Sequence, residues 1–304
     1  MSQIISVVPN ISEGRDEAFV ESLHEALERV PGLVVLDVSM DQVRNRTIFS
    51  FTGHKDAIFE GGYLLYERAL GHIDMRQHQG EYPRIGAVDV VPFVALRNAP
   101  LPLAVEWSVQ FAEEVARRFD LPVYLFAESA RTKLRRDIEN IREGEYEGFA
   151  AKMTDPAWKP DFGPDTFPPD KGVTVIGARL PLVNFKVYLT TGSEEAAEWV
   201  ARILSGPATG LSDVHFYPAL DRTRNEALVN VTVGNYRATP LYRILEAMKT
   251  ELHRFGAGVS RVEMVGLVPQ RALIESAEHY LQVFGFSADD VLETRISEIL
   301  GEGH

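Results

Sequence analysis

From its start the chain alternates short apolar runs with stretches of helical period. Ile4–Pro9 is a strand candidate. From about Asp16 to Val30, Phe19, Leu23, Leu27 and Val30 recur at a spacing that lines one helix face, with acidic residues in the first turn as the helix dipole favours. Pro31-Gly32 ends that helix, and Leu33–Val38 reads as a buried strand. Arg46–Thr52 alternates with period two and sets Thr47, Phe49 and Phe51 on one side. Asp56 is placed to cap a helix reaching about Leu70, although Gly61-Gly62 weakens it. Val88–Leu96 returns as a strand, so the order is β-α-β-β-α-β.

Pro102–Phe119 adds a helix, Pro122–Ala127 a strand and Thr132–Ile141 a charged helix. Five of the seventeen prolines then fall between Pro156 and Pro169. Proline fixes φ and removes a donor, so neither a helix nor a central strand runs through this stretch. Trp158, Phe162 and Phe167 are too apolar for a solvated tether, so the segment is expected to pack on something. Beyond it the order repeats. Leu182–Leu189, Val214–Tyr217, Leu228–Val233 and Arg261–Leu267 read as strands; Glu194–Leu204, Leu241–Phe255 and Gln270–Phe284 read as helices. The expected fold is α+β, with two ferredoxin-like subdomains, 1–178 and 179–304, side by side with a cleft between them.

Composition narrows the chemistry. The 304 residues are 45% hydrophobic and carry a formal charge of -13, which argues against a general nucleic-acid or anionic-membrane binder. No cysteine is present, which removes thiol nucleophiles, thiolate metal sites and disulfides. No apolar run approaches the roughly 18 residues that span a bilayer. The start, MSQIISVVPNISEG, lacks the charged head and apolar run of a signal peptide, so a cytoplasmic protein is expected. Dinucleotide, P-loop, zinc-peptidase and nucleophile-elbow motifs are all absent.

His78 stands out among the histidines because it shares a glycine-containing turn with Glu81, Tyr82 and Arg84. Histidine shuttles protons near neutral pH, but a solvated loop histidine fits the spacing equally well. Two further polar clusters, Pro9–Gly14 and Asn45-Arg46-Thr47, suit helix capping and a hairpin turn as well as they suit a site. In the β-α-β-β-α-β order these loops and the His78 turn can converge at one sheet edge. The run Arg131–Arg136 could attract a polyanionic tail, but it reads better as a solvated helix face.

The blocks VPNISEGR, NRTIFSF, IDMRQHQGEYPRIGAVDVVPF, LPVYLFAESA, DFGPDTFPPDKGVTVIGAR and MVGLVPQRAL resemble those of glutamate formiminotransferases, including the transferase half of formiminotransferase–cyclodeaminases. The resemblance runs from Ile4 to about Leu273 in the family's order, and implies a stand-alone, cytoplasmic homodimeric transferase without a cyclodeaminase domain. The implied reaction moves a formimino group from N-formimino-L-glutamate to N5 of tetrahydrofolate, as in histidine degradation, with folate as co-substrate and no metal. The implied folate site is the segment Gly163, Pro164, Asp165, Thr166, Phe167, Pro168, Pro169, Asp170, Lys171 and Gly172, stiff and aromatic enough for a flat pterin. Asn10, Asn45, Arg46, Glu81 and Arg84 are the implied substrate-binding residues.

Two positions depart from the pattern. Ser39 stands where the family carries an acid, with Asp41 two residues on. The family's G-E-H-P-R is here Gly80-Glu81-Tyr82-Pro83-Arg84, so Tyr82 occupies the catalytic histidine's place. A free tyrosine titrates near pH 10, which handicaps it as a base by roughly 4 kcal/mol relative to a group poised at 7. Three assignments follow. Arg84 tunes Tyr82 downward as the proton shuttle; or His78 takes that role while Tyr82 orients the formimino group; or formimino transfer is lost. In the third case the chain is a 5-formyltetrahydrofolate-metabolising variant or a catalytically silent folate-binding protein.

Overall fold

Alternation over the first hundred residues closes into one sheet. The computed structural model describes residues 3–81, 83–96 and 98–300. Strands β1 (Ile5–Val7) and β2 (Asn10–Ile11) are halves of one strand interrupted at Val8-Pro9. They pair antiparallel with β4 (Arg46–Gly53) on one side and β5 (Val88–Ala95) on the other. β3 (Leu33–Asp41) pairs with β4. On the other side, β7 (Thr174–Arg179) runs parallel to β5 and to β6 (Val123–Ala127). The four strands of the first β-α-β-β-α-β run therefore lie in the order fourth, first, third, second, extended past the fourth by two parallel strands.

Both faces of this extension are covered. Helices α1 (Glu17–Glu28), α2 (Lys55–His72) and α3 (Leu101–Phe119) pack Leu27, Leu65, Phe111 and Val115 against Phe49, Phe51, Phe93 and Ile176. Alternation turns Val90, Tyr124, Phe126 and Val175 to the other face, where Phe149 and Trp158 join them in a second cluster. Gly61 and Gly62 serve close packing: a Cβ there would lie 2.6 Å from Leu33 and 2.5 Å from Phe111. Methylene-scale core changes are felt in such packing.

This first unit is Met1–Leu180, and the second is Pro181–His304. In the second, β8 (Val183–Leu189), β9 (Val214–Asp221), β10 (Glu226–Val233) and β11 (Val259–Val265) form an antiparallel sheet ordered β11-β8-β10-β9, again fourth, first, third, second. α6 (Glu194–Leu204) and α7 (Leu241–Leu252) bury Val200, Leu204, Ile244 and Met248 on it. Helices over Gln270–Leu281 and Leu292–Leu300 follow. Among the described residues no helix is long and apolar enough to cross a membrane.

Several local expectations are corrected. Leu33–Val38 is not a buried strand: β3 is the sheet edge, with Val34 and Leu36 exposed by 50% and 42%. α2 is capped by His54, whose Nδ1 accepts from the Ala57 amide, rather than by Asp56, which sits in the first turn. The expected Thr132–Ile141 helix is a 3-10 turn at Lys133–Arg135 followed by the short α4 (Ile138–Arg142), which Asp137 caps. α5 (Glu145–Lys152) and β7 were not anticipated.

The basic run is solvent-exposed at Arg131, Lys133 and Arg136, as expected, but not at Arg135. Arg135 is buried, 2.8 Å from Asp161, and donates to the Ala157 and Lys159 carbonyls, while Arg136 pairs with Glu128. It pins the proline-rich stretch, as does the Phe162 carbonyl, which accepts from the Val123 amide at 2.9 Å. That stretch packs, as its aromatics required: Trp158 is buried, and Phe162 and Phe167 lie against the two clusters.

Candidate active site

The three polar loops meet where β1/β2, β4 and β5 run side by side. After β2, the Ser12 amide donates to the Ala87 carbonyl and its hydroxyl to the Gly86 carbonyl, at 2.9 and 2.8 Å. Asn45, in the left-handed region at φ 51°, opens β4 and is the hub. Its Oδ1 accepts from the Gly14 amide at 2.9 Å and its Nδ2 donates to the Gln79 carbonyl at 2.9 Å. The Thr47 hydroxyl reaches the Glu13 carbonyl at 2.5 Å. One buried asparagine thus joins all three loops, and its side-chain groups are spent on backbone partners.

His78 and Arg84 form the next layer. His78 Nε2 lies 3.0 Å from the Asn45 carbonyl, and Arg84 Nε donates to His78 Nδ1 at 3.1 Å. The carbonyl can only accept and the guanidinium only donate, so the imidazole is the neutral Nε2–H tautomer. Burial lowers its pKa, and the neighbouring Arg84 charge adds to this against the Asn45 carbonyl. Both ring nitrogens are occupied, which suits a positioning group better than a free proton shuttle.

Arg84 is buried and extends its fork to Glu147, at 2.9 and 2.6 Å, and to Glu145, at 3.2 Å. The Arg84 hydrogen bond holds the Glu147 carboxyl below its usual range. Both acids belong to the start of α5, where Gly144 (φ 84°) and Glu145 (φ 52°) are left-handed. His78, Gln79, Gly80, Arg84, Gly144, Glu145 and Glu147 line a cavity of about 550 Å³. Beneath it, buried Asp89 accepts from the Ile85 amide at 2.9 Å and pairs with buried Arg142.

The 163–172 segment adjoins this layer at its C-terminal end. Asp170 O accepts from the Met75 amide at 2.9 Å, and Lys171 O from the Ala87 amide at 2.8 Å. Gly172 (φ 69°) bridges Gly86, and a Cβ on Gly172 would lie 2.2 Å from the Ile85 carbonyl. Only glycine fits such a backbone approach. Phe167 packs on Tyr146 and Phe149, with ring centroids 5.4 and 6.3 Å apart. Gly163, Asp165, Thr166, Pro169 and Asp170 are exposed, whereas Pro164, Phe167, Pro168 and Lys171 are half-buried.

Among the other implied site residues, Asn10 is buried in β2 and donates to the Val8 carbonyl at 3.1 Å. Arg46 opens β4 half-buried beside the hub, and Glu81 is exposed with its amide on the Val43 carbonyl at 3.4 Å. Tyr82 lies outside the described residues. Ser39 is exposed on β3, and Asp41 is engaged by the Arg44 amide and guanidinium at 2.9 and 3.1 Å. Among the described residues no cluster of three or more His, Asp or Glu is arranged to hold a metal ion. Glu145, Tyr146 and Glu147 were missed in the sequence; a glycine ahead of an acid–tyrosine–acid triplet was the available signal.

Comparison with known proteins decides the family. Residues 4–179 match the model of the formiminotransferase domain, N-terminal subdomain, and residues 219–297 match that of the formiminotransferase domain. The chain belongs to the formiminotransferase family. It is 37% identical over 286 residues to a glutamate formimidoyltransferase of Streptococcus pyogenes serotype M1, covering 94% of this chain and 96% of that protein. With the glutamate formimidoyltransferase of Thermoplasma acidophilum the identity is 34%, over 97% and 98% of the two chains. With the formimidoyltransferase-cyclodeaminase of Rattus norvegicus it is 34% over 92% of this chain, but over 53% of that longer protein.

Proposed function

We propose that this formiminotransferase-family chain transfers the formimino group of N-formimino-L-glutamate to N5 of tetrahydrofolate in histidine degradation. The carrying observation is the nearly end-to-end match to a glutamate formimidoyltransferase, 94% of this chain against 96% of that one. The alternatives of a 5-formyltetrahydrofolate-metabolising variant and a silent folate binder find no support in the relatives' names. The same reading carries two ferredoxin-like subdomains, a homodimer and a cytoplasmic setting.

The transfer forms a bond between N5 and the amidine carbon and breaks the bond from that carbon to the glutamate nitrogen. One proton leaves the first nitrogen and one reaches the second. We assign this exchange to Tyr82: its phenol protonates the departing glutamate nitrogen, and the resulting phenolate takes the proton from N5. A free phenol, with a pKa near 10, is almost wholly protonated at neutral pH, which is the form that order starts from. Arg84 is itself engaged by two carboxylates and His78. His78 acts as a positioning group, holding Arg84 against the Asn45 hub. The 163–172 segment supplies the pterin surface through Phe167, and Asn10, Arg46 and Glu81 border the substrate.

The test is turnover. Wild-type protein should form 5-formiminotetrahydrofolate from formiminoglutamate, and Tyr82→Phe should lose most of that rate. Calorimetric folate binding with no turnover would point to the silent reading. Full activity in Tyr82→Phe would remove the tyrosine from the chemistry.

A further inference from the structure

A folate-binding segment and a catalytic turn must be held in register, and the described structure shows one short element touching both. α5 begins with Glu145, Tyr146 and Glu147. In a regular helix three successive side chains fan out by about 100° each and cannot all serve one site. Here left-handed Gly144 and Glu145 redirect the first of them, so both carboxylates close on Arg84. Tyr146, between them, faces the other half of the site. Its hydroxyl donates to the Pro169 carbonyl, and its ring lies 5.4 Å from Phe167. The Arg84 guanidinium carbon lies 5.8 Å from the same ring. Burial and the nearby Asp74 and Glu147 carboxylates raise the phenol's pKa, so it stays a donor.

We infer that Tyr146 is a positioning residue that ties the 163–172 segment to the His78/Arg84 layer and thereby presets the folate surface. The inference rests on the proposed function. If the hydroxyl were lost, the ring would keep its stacking on Phe167 while the tie to Pro169 disappeared. The segment would then spend part of its time out of the binding geometry, and apparent affinity falls in proportion to the competent fraction.

Tyr146→Phe isolates that effect because it removes one oxygen and no packing area. Calorimetric titration with 5-formyltetrahydrofolate, a stable folate, should give a Kd about three- to tenfold weaker than wild type, the range expected from losing one hydrogen bond. The KM for formiminoglutamate should stay unchanged, and restoring the tyrosine should recover the Kd. A purely structural tyrosine would instead lower the melting temperature and leave the Kd within twofold of wild type, which overturns the inference alone. Wild-type protein that binds no folate would take down both the inference and the functional reading beneath it.

Discussion

Arg84→Lys keeps the charge of Arg84 and removes its fork. The Arg84 side chain is 9% exposed, whereas its partners Glu145 and Glu147 are 49% and 63% exposed. The carboxylate side of the contact is therefore partly screened by water, and the loss there is modest. A lysine ammonium, with three donors, can keep one contact to Glu145 and one to Glu147 but gives up the second arm on Glu147 and the Nε donor to His78 Nδ1. Two lost hydrogen bonds at roughly 0.5–1.5 kcal/mol each amount to about 2 kcal/mol. For a unit of this size that is roughly 4–8 °C in melting temperature. Thermal and urea denaturation followed by circular dichroism measure the loss. Nitrogen NMR of His78 provides a second readout: the Asn45 carbonyl keeps the proton on Nε2, while the Nδ1 resonance should move toward that of an unbonded imidazole nitrogen, because Arg84 no longer donates to it. A stability change below about 0.5 kcal/mol together with an unchanged Nδ1 resonance would refute the reasoning.

Two further outcomes follow from one buried ion pair and one half-buried imidazole. Asp161→Asn leaves the buried Arg135 guanidinium without its counter-charge and should cost about 3–5 kcal/mol in urea unfolding; a loss under 1 kcal/mol would contradict the pinning role. His78, whose folded-state pKa is lowered, should make the protein acid-sensitive. Its stabilisation is complete above the unfolded value near 6.5 and drains away as pH falls, by at most about 1.4 kcal/mol per pH unit. Unfolding free energies at pH 7.5 and 5.5 should therefore fall more steeply in wild type than in His78→Gln, and parallel curves would rule this out.

Much of the molecule was readable from local pattern. Period-two alternation placed Thr47, Phe49 and Phe51 on the buried face of β4, and helical spacing placed Leu23 and Leu27 on the core side of α1. What escaped was set by partners distant in sequence. Arg135 looked like surface charge because its counter-ion, Asp161, comes 26 residues later. The apolar run of β3 looked buried because a sequence does not reveal that only one neighbour, β4, will pair with it. β7 lies next to the proline-rich stretch and pairs parallel with strands that precede it by tens of residues, so no local turn announced it.

The candidate site divides the same way. The meeting of the Pro9–Gly14, Asn45 and His78 loops followed from the order of elements, and the resemblance supplied the 163–172 segment. That His78 is bonded at both nitrogens, that Asn45 serves the loops rather than standing open, and that α5 joins the two halves are consequences of tertiary contacts. Three consecutive residues, Glu145 to Glu147, serve one region because of two left-handed backbone positions, which no helical periodicity encodes.

The most direct measurement is steady-state formation of 5-formiminotetrahydrofolate by the full chain, given N-formimino-L-glutamate and tetrahydrofolate, with release of glutamate followed in parallel. The account predicts saturable production of both in equal amounts. Folate binding with neither product formed would contradict it.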